Sequence, residues 1–557
     1  MMLGLMLFNC SDDNSSTIVT ESGTSSILGE WNGTMIYPST EYQYTFTFDN
    51  VNFNVFSEIY NGVEYDSITG SGTYTIDNNP EIRPVLGLFE GVVTGAADGY
   101  ARMAEKSAAS LLHLGPGLGN GFANIHNAKK ARSPMLNIVG DHATYHLKHN
   151  APLTSDLDNL AKSASDWVGR ATSSNDLCDL GNTAWQKANA FPGQVSTLIV
   201  SADSAWGNFD SKIPAPLEKL DPESIDESQI KKSCEILQKD NSILFIGGKF
   251  LNEECVTLAA KISSKTGCRL VTDTFVSRIR RGEGLPIIEQ VPYFAESAAE
   301  FLKNTSGIVF IGSRPPVSFF AYPDKESFLT PKSSEILILS TPEQDGLYAL
   351  KALVDESDGK EITKSLLQSK IEDMPMTGDL SIDNLGLLIA NLMPEESIVS
   401  DEAATSSFLV TPQALKAKPH DWLTLTGGSI GQGLPLAVGA AIAKPDRPVI
   451  TLHGDGGAMY TIQALWSQAR ENLNITNIIF ANNSYEILKI ELSRVGAIKT
   501  GKRADSMLSL DNPPLDWMSL SKSMGVPCYE PKEVEDFIKI FSSAVKEPGP
   551  TTIVVHI

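Results

Sequence analysis

The chain has no cysteine pair at Cys-x-x-Cys spacing; its six cysteines, Cys10, Cys178, Cys234, Cys255, Cys268 and Cys528, are scattered through 557 residues. That excludes a zinc knuckle or a dense disulfide framework and fits reduced thiols in a cytoplasmic enzyme. Positive charge is scarce too. Lys and Arg number 44 against 67 Asp and Glu, for a formal net charge of −23. A nucleic-acid partner needs a basic footprint, so that class is excluded. No stretch approaches the ~20 apolar residues that cross a bilayer. What remains is a composition of 42% hydrophobic and 20% charged residues, that of a globular protein too long for one core, with three or four domains expected.

The first eighty residues differ in texture from the rest. Met1 to Asp13 resembles the end of a bacterial lipoprotein signal with Cys10 as the acylated residue, truncated because a charged leader is absent. Membrane attachment is expected only if Cys10 is lipidated. Residues 1–26 are assigned to this segment and its linker, and 27–80 to an antiparallel β-meander. Tyr42, Tyr44, Phe46 and Phe48 alternate, as do Val51, Phe53 and Val55; Thr73–Ile76 reads as a further strand, with turns at Asn61-Gly62 and Asp77–Asn79. The meander resembles a lipocalin-like lipoprotein domain.

From Arg83 onward strands and helices alternate, which predicts doubly wound parallel sheets. The divisions are 81–206, 230–354 and 384–557, separated by Pro- and acid-rich linkers. In the first, Glu90 stands where an apolar strand ends and His113 closes another. The middle one has a lone pair, Gly247-Gly248, and no dinucleotide fingerprint. His142, His146 and His149 read as a surface loop.

The last domain holds the most informative stretch. Pro448 to His453 is a buried strand, Gly454-Asp455-Gly456-Gly457 a turn, the residues from Met459 a helix, and Ile475 to Phe480 a second strand leading to Asn482-Asn483-Ser484-Tyr485. Right-handed crossover brings both strand ends to one sheet edge. One carboxylate and one amide oxygen then converge, a hard-oxygen donor set suited to Mg²⁺. The glycines admit a diphosphate close to the backbone at the helix N-terminus.

Gly-Asp-Gly followed by Asn-Asn at this distance resembles the thiamine diphosphate motif of the acetolactate synthase, benzoylformate decarboxylase and pyruvate decarboxylase superfamily. Glu90 with Ala97-Asp98-Gly99-Tyr100-Ala101-Arg102 resembles its pyrimidine-binding domain. The resemblance implies a thiamine diphosphate-binding fold of three parallel-sheet α/β domains. It implies metal ligation by Asp455, Asn482 and the Ser484 carbonyl, with Asn483 an alternative to Asn482. It also implies cofactor contacts at Gly454, Gly456, Gly457 and Tyr485, a hydroxyl from Thr405, an amine acceptor at Gly428 and an apolar wedge at Ile430. Glu90 is implied to be buried and to hydrogen-bond the aminopyrimidine, and His113 to handle protons on substrate, as in benzoylformate decarboxylase. The cofactors expected are thiamine diphosphate and Mg²⁺, with FAD not expected in the middle domain. The partner is a small 2-oxo acid, and a homodimer or homotetramer is implied. The activity expected is that of an acetolactate synthase-like decarboxylase or carboligase. The alternatives are a benzoylformate decarboxylase-like lyase and a lipid-anchored β-domain protein with an inactive enzyme-like part. In that family a strand, loop and helix precede the Glu-bearing strand. No equivalent is found here, so a weakened first domain is expected.

Overall fold

The computed structural model describes residues 5–9, 30–37, 40–49, 52–59, 82–210, 212, 214–497 and 501–557, with side chains from Arg83 onward. The first sheet comprises β1 (Leu5–Asn9), β5 (Ile82–Leu86), β6 (Ala108–His113), β7 (Met135–Asp141), β8 (Trp167–Ala171) and β9 (Val195–Ser201), in the order β5-β1-β6-β7-β9-β8. Four of these run parallel, while β1 is inserted antiparallel to both β5 and β6. This corrects one expectation: residues 5–9 pair with β5 and β6 of the enzyme sheet rather than forming a separate signal segment. The reason is long-range: β5 and β6 each offer backbone groups that must find partners, and β1 pairs with both.

Strands β2 (Glu30–Tyr37), β3 (Thr40–Asp49) and β4 (Asn52–Ile59) form the antiparallel meander, with Trp31 opposite Phe46 and Phe46 opposite Val55. The turns expected at Asn61-Gly62 and Asp77–Asn79 and the strand at Thr73–Ile76 lie outside the described residues, as do Val51 and Cys10.

The middle sheet is parallel: β10 (Ile243–Ile246), β11 (Arg269–Thr272), β13 (Glu289–Gln290), β14 (Gly307–Ile311) and β15 (Glu335–Ser340) take the order β13-β11-β10-β14-β15. Between β11 and β13, β12 (Ile279–Arg281) leaves this domain and pairs antiparallel with the edge of the last sheet. That sheet also contains β16 (Ile398–Glu402), β17 (His420–Thr424), β18 (Val449–Gly454), β19 (Ile475–Ala481), β20 (Cys528–Tyr529) and β21 (Thr551–His556), in the order β12-β17-β16-β18-β19-β21-β20. Its central strands β16, β18 and β19 are buried along nearly their whole length, their polar members Ser400, Thr451 and Asn477 included.

The first and last domains meet through helix α1 (Glu90–Ala104) and the Gly433–Ala443 helix. Their backbones approach so closely that a Cβ on Gly99 would overlap the Leu436 carbonyl, and one on Gly439 the Ala96 carbonyl. Beside this crossing the buried Asp98–Arg102 pair ties three domains together. Arg102 donates to the Thr424 carbonyl at 2.9 Å and the Ser277 carbonyl at 3.1 Å, and Gln432 and Ser133 donate to Asp98.

Candidate active site

β18 and β19 are neighbours and parallel, with Gly454 opposite Phe480, so Asp455 and Asn482 leave the sheet at the same edge. Asp455 is 2% exposed. Its two oxygens accept from the backbone N–H groups of Gly456 and Asn483, each at 2.8 Å. Burial raises its pKa against these donors, a cost that a bound cation would relieve. Asn482 Oδ1 accepts from the Ser484 N–H at 3.0 Å. Asn483 adopts a left-handed conformation, φ 51°, which asparagine tolerates better than most residues. The doubled asparagine thus divides its labour: Asn483 supplies a backbone turn and an N–H, and Asn482 an oxygen. Leu508–Leu510 runs alongside, with Tyr485 N–H donating to the Leu508 carbonyl at 2.9 Å and Leu510 N–H to the Asn483 carbonyl at 2.7 Å. Gly456 is hemmed in, since a Cβ there would come within 2.6 Å of Tyr485 Cε1 and 3.0 Å of Leu510 Cδ1.

The expected continuous helix after this turn is broken. A four-residue turn, Asp455–Ala458, passes through a 3₁₀ segment, Met459–Thr461, before a helix forms over Ala464–Arg470. Two adjacent glycines at its start carry the poorest helix propensity short of proline, and the tighter winding follows.

Opposite lies the turn from Gly427 to Gly433. Gly428 (φ 76°) and Gly431 (φ 92°) occupy conformations that favour glycine. Glu402, at the end of β16, is buried and accepts from three consecutive backbone N–H groups: Gly431 at 2.6 Å, Gln432 at 2.7 Å and Gly433 at 2.6 Å. Buried His453 stands 3.4 Å from its carboxylate. Burial works against both charges. Nevertheless the pair holds Glu402 below its usual pKa, with the N–H donors contributing, and His453 above its own. The result is a turn clamped from beneath, with Ile430 projecting 37% exposed at its apex. Sequence reasoning placed Thr405 here and passed over Glu402. Thr405 lies in a half-buried 3₁₀ turn, Ala404–Ser406, just beyond it.

In the first domain Glu90 opens α1 and is half-buried rather than buried as expected, its carboxylate lying beside Gly117 and Asn120 of the next helix. Glu90 Oε2 accepts from Asn120 Nδ2 at 3.1 Å. His113 closes β6, also half-buried. The two flank Gly117, where a Cβ would lie 3.5 Å from both Glu90 Oε1 and His113 Cβ. Helix α2 (Leu114–Ala131) then carries three asparagines at helical spacing. Asn120 holds Glu90. Asn124 Nδ2 donates to the Gly91 carbonyl at 2.8 Å and the Gly431 carbonyl at 3.3 Å. Asn127 Nδ2 donates to the Ser429 carbonyl at 2.7 Å, while its Oδ1 accepts from the Ser429 N–H at 3.2 Å. This polar face connects the Glu90 region of the first domain to the glycine turn of the last. Its only sequence signal was the Asn spacing.

Residues 71–161 match the family model described as thiamine pyrophosphate enzyme, N-terminal TPP binding domain, and residues 405–555 match the C-terminal TPP binding domain. A protein of Mycobacterium tuberculosis named "Putative acetolactate synthase large subunit IlvX" is 44% identical over 483 residues, 86% of this chain and 92% of that one. The chain belongs to the thiamine pyrophosphate enzyme family. Benzoylformate decarboxylase of Pseudomonas aeruginosa is 23% identical over 544 residues, covering 88% of this chain and 97% of the relative. Among solved structures, 4-hydroxybenzoylformate decarboxylase of Rhodococcus jostii RHA1 superposes with a TM-score of 0.72 at 23% identity, and benzoylformate decarboxylase from Polynucleobacter necessarius with 0.74 at 20%. Each covers 85% of this chain and 91% of its own, and they establish the parallel-sheet α/β fold. The lipoprotein resemblance of the first eighty residues is not supported by these comparisons.

The residues present fit the family's cofactor. Asp455 is a buried carboxylate whose hydrogen-bond partners are backbone N–H groups, beside an amide oxygen and loop carbonyls, a donor set for a hard divalent ion. Gly454, by contrast with Gly456, has open space where a side chain would stand: its Cβ would meet nothing nearer than 4.0 Å. A cavity of about 360 Å³ lies elsewhere, between the first and middle domains, lined by Arg132, Lys249, Phe250 and Arg278 among others.

Proposed function

We propose that the chain binds thiamine diphosphate and Mg²⁺ and decarboxylates a 2-oxo acid. The observation that carries this is the pairing of Asp455 and Asn482 at one sheet edge with the rigid glycine turn opposite. Asp455, Asn482 and the Ser484 carbonyl would hold the metal. Gly454, Gly456, Gly457 and Tyr485, with Thr405, would surround the diphosphate. When bound, the cofactor supplies an electron sink at its thiazolium carbon. The Gly428 carbonyl and Ile430 would orient the ring system, Ile430 by presenting an apolar surface on a turn that Glu402 and Asn127 keep still. Glu90 would hold a proton at the aminopyrimidine ring, its position fixed by Asn120. His113, on the far side of Gly117, would move a proton at the substrate carbon or carboxylate.

That placement of a histidine at the end of β6 supports release of an aldehyde, the benzoylformate decarboxylase-like outcome. Ligation to a second carbonyl, as in acetolactate synthases, is the other reading. An FAD role is not proposed, since the middle domain carries no dinucleotide fingerprint. A homodimer or homotetramer, implied by the resemblance to the thiamine diphosphate family, is part of this proposal. The test is CO₂ release and product analysis across 2-oxo acids with added thiamine diphosphate and Mg²⁺. Cofactor-dependent CO₂ release supports the proposal, and none from any acid contradicts it.

A further inference from the structure

β16 ends in two consecutive acids, Asp401 and Glu402, and consecutive side chains of a strand point to opposite faces of its sheet. Glu402 serves the glycine turn on one face. On the other, Asp401 serves the turn that carries Thr405. Asp401 Oδ1 accepts from the Ala403 N–H at 3.1 Å and from Ser407 Oγ at 2.6 Å, so one oxygen grips the chain on both sides of Ala404–Ser406. That turn packs against β18 and against the Glu486–Arg494 helix, which follows Tyr485. Within the grip the backbone is strained. Ala404 takes φ 50°, the left-handed region, although its Cβ opposes it. An alanine left to itself enters that region about 5- to 30-fold less readily than the right-handed one. Strain of this kind persists only where the surroundings impose it, and it gathers at functional sites.

The other oxygen of Asp401 is anchored from the middle domain. Oδ2 accepts from Trp422 Nε1 at 3.2 Å, and the Arg281 guanidinium lies over the Trp422 ring at 3.8 Å. Arg281 is buried and belongs to β12, the strand that leaves the middle domain for this sheet. Its Nε donates to His420 Nε2 at 3.4 Å, and neither terminal nitrogen has a hydrogen-bond partner among the described residues. The acidic charge acting on it is that of Asp401. Burial pushes the Asp401 carboxyl up, while three hydrogen-bond donors and the Arg281 charge work for its ionised form.

We infer that Asp401 is a positioning residue of the cofactor site: it holds Ala404 in its left-handed conformation and so presets Thr405 for the diphosphate, while Trp422 and Arg281 anchor it to the middle domain. This deepens the function proposed above and rests on it. Asp401 acts through the turn and touches neither cofactor nor substrate. The turn is then ordered before the cofactor arrives, and binding is spared the cost of straining Ala404.

The test uses the full chain at saturating Mg²⁺, with thiamine diphosphate affinity read by calorimetry and amide exchange of residues 403–407 read without cofactor. Asp401→Ala should weaken affinity by about tenfold or more and speed exchange of the Ala403 amide. Ser407→Ala removes one of the two holds and should weaken affinity severalfold. The distinguishing change is Ala404→Gly, because glycine adopts φ 50° without steric cost. In the Asp401→Ala background it should restore affinity by at least about threefold, and in the intact chain it should gain less. An Asp401 that merely stabilised the sheet would show no such coupling. Unchanged affinity in Asp401→Ala, or an equal gain from Ala404→Gly in both backgrounds, overturns the inference and leaves the decarboxylase reading standing. If Asp401→Ala does not fold, Ser407→Ala decides, and affinity equal to that of the intact chain overturns the inference. Failure of the intact chain to bind thiamine diphosphate overturns both.

Discussion

Glutamine in place of Glu402 is nearly isosteric, yet it should loosen the cofactor turn without unfolding the protein. The carboxylate serves three N–H donors, one at Oε1 and two at Oε2. An amide offers only one acceptor oxygen, so in its better orientation the Gly431 N–H loses its partner, and in the other orientation both Gln432 and Gly433 do. His453 also loses its counter-charge in a fully buried setting. A hydrogen bond to a charged group is worth about 1.5–3 kcal/mol, and breaking a buried pair costs about 3–5 kcal/mol. These overlap and do not add. If the loss falls on ordering residues 427–433, the lower range applies to cofactor affinity, a weakening of about tenfold to a hundredfold. Thiamine diphosphate titration followed by tryptophan quenching at saturating Mg²⁺ reads the affinity, and hydrogen exchange reads the amides of 431–433. Unchanged affinity together with unchanged amide protection would refute the clamp.

His113→Phe should leave cofactor affinity within about twofold while lowering turnover by the ~10²–10⁴-fold typical of acid–base groups; equal losses in both would make His113 structural. Gly439→Val should abolish soluble, folded protein, since its side chain would overlap the Ala96 carbonyl and overpacking costs at least ~3 kcal/mol where neither backbone can yield. Normal expression and melting would contradict the described helix crossing. His420 is fully buried, and burial with the nearby Arg281 charge depresses its pKa to about 3. Between roughly pH 6.5 and 3 the unfolded chain binds a proton that the folded chain refuses, so this contribution is intact above pH 6.5 and is lost as pH falls. By pH 3 the loss is roughly 4–5 kcal/mol. His420→Asn should flatten the acid limb of the urea midpoint against pH; an unaltered limb counts against it.

The unit around Asp455 was legible because its strands are buried and therefore mostly apolar, with glycines after the first and the doubled asparagine after the second marking where each stops. The backbone roles of Asn482 and Asn483, an oxygen toward the Ser484 N–H and a left-handed turn with an N–H toward Asp455, come from the folded loop and are not encoded in the spacing. The asparagines of α2 carry no role legible from local pattern. Only the neighbouring domain turns Asn124 and Asn127 into links to Gly431 and Ser429. Glu402 was visible as an acid at a strand end, but its three N–H partners come from residues about thirty positions later. The strand at Leu5–Asn9 was hidden for the same reason. Four apolar residues, Leu5–Phe8, just before Cys10 look like a leader until they are paired with β5 and β6. Likewise β12 crosses from one sheet to another, a connection set by tertiary packing rather than local pattern.

The most direct test of the account is thiamine diphosphate binding by the intact chain and by Asp455→Ala, each titrated with Mg²⁺ and again with excess EDTA. Asp455 supplies the full negative charge among the proposed metal donors. The account predicts tight, Mg²⁺-dependent binding by the intact chain, lost in EDTA, and no Mg²⁺-dependent binding by the variant. Retained Mg²⁺-dependent affinity in Asp455→Ala, or cofactor binding by the intact chain that ignores EDTA, would contradict it.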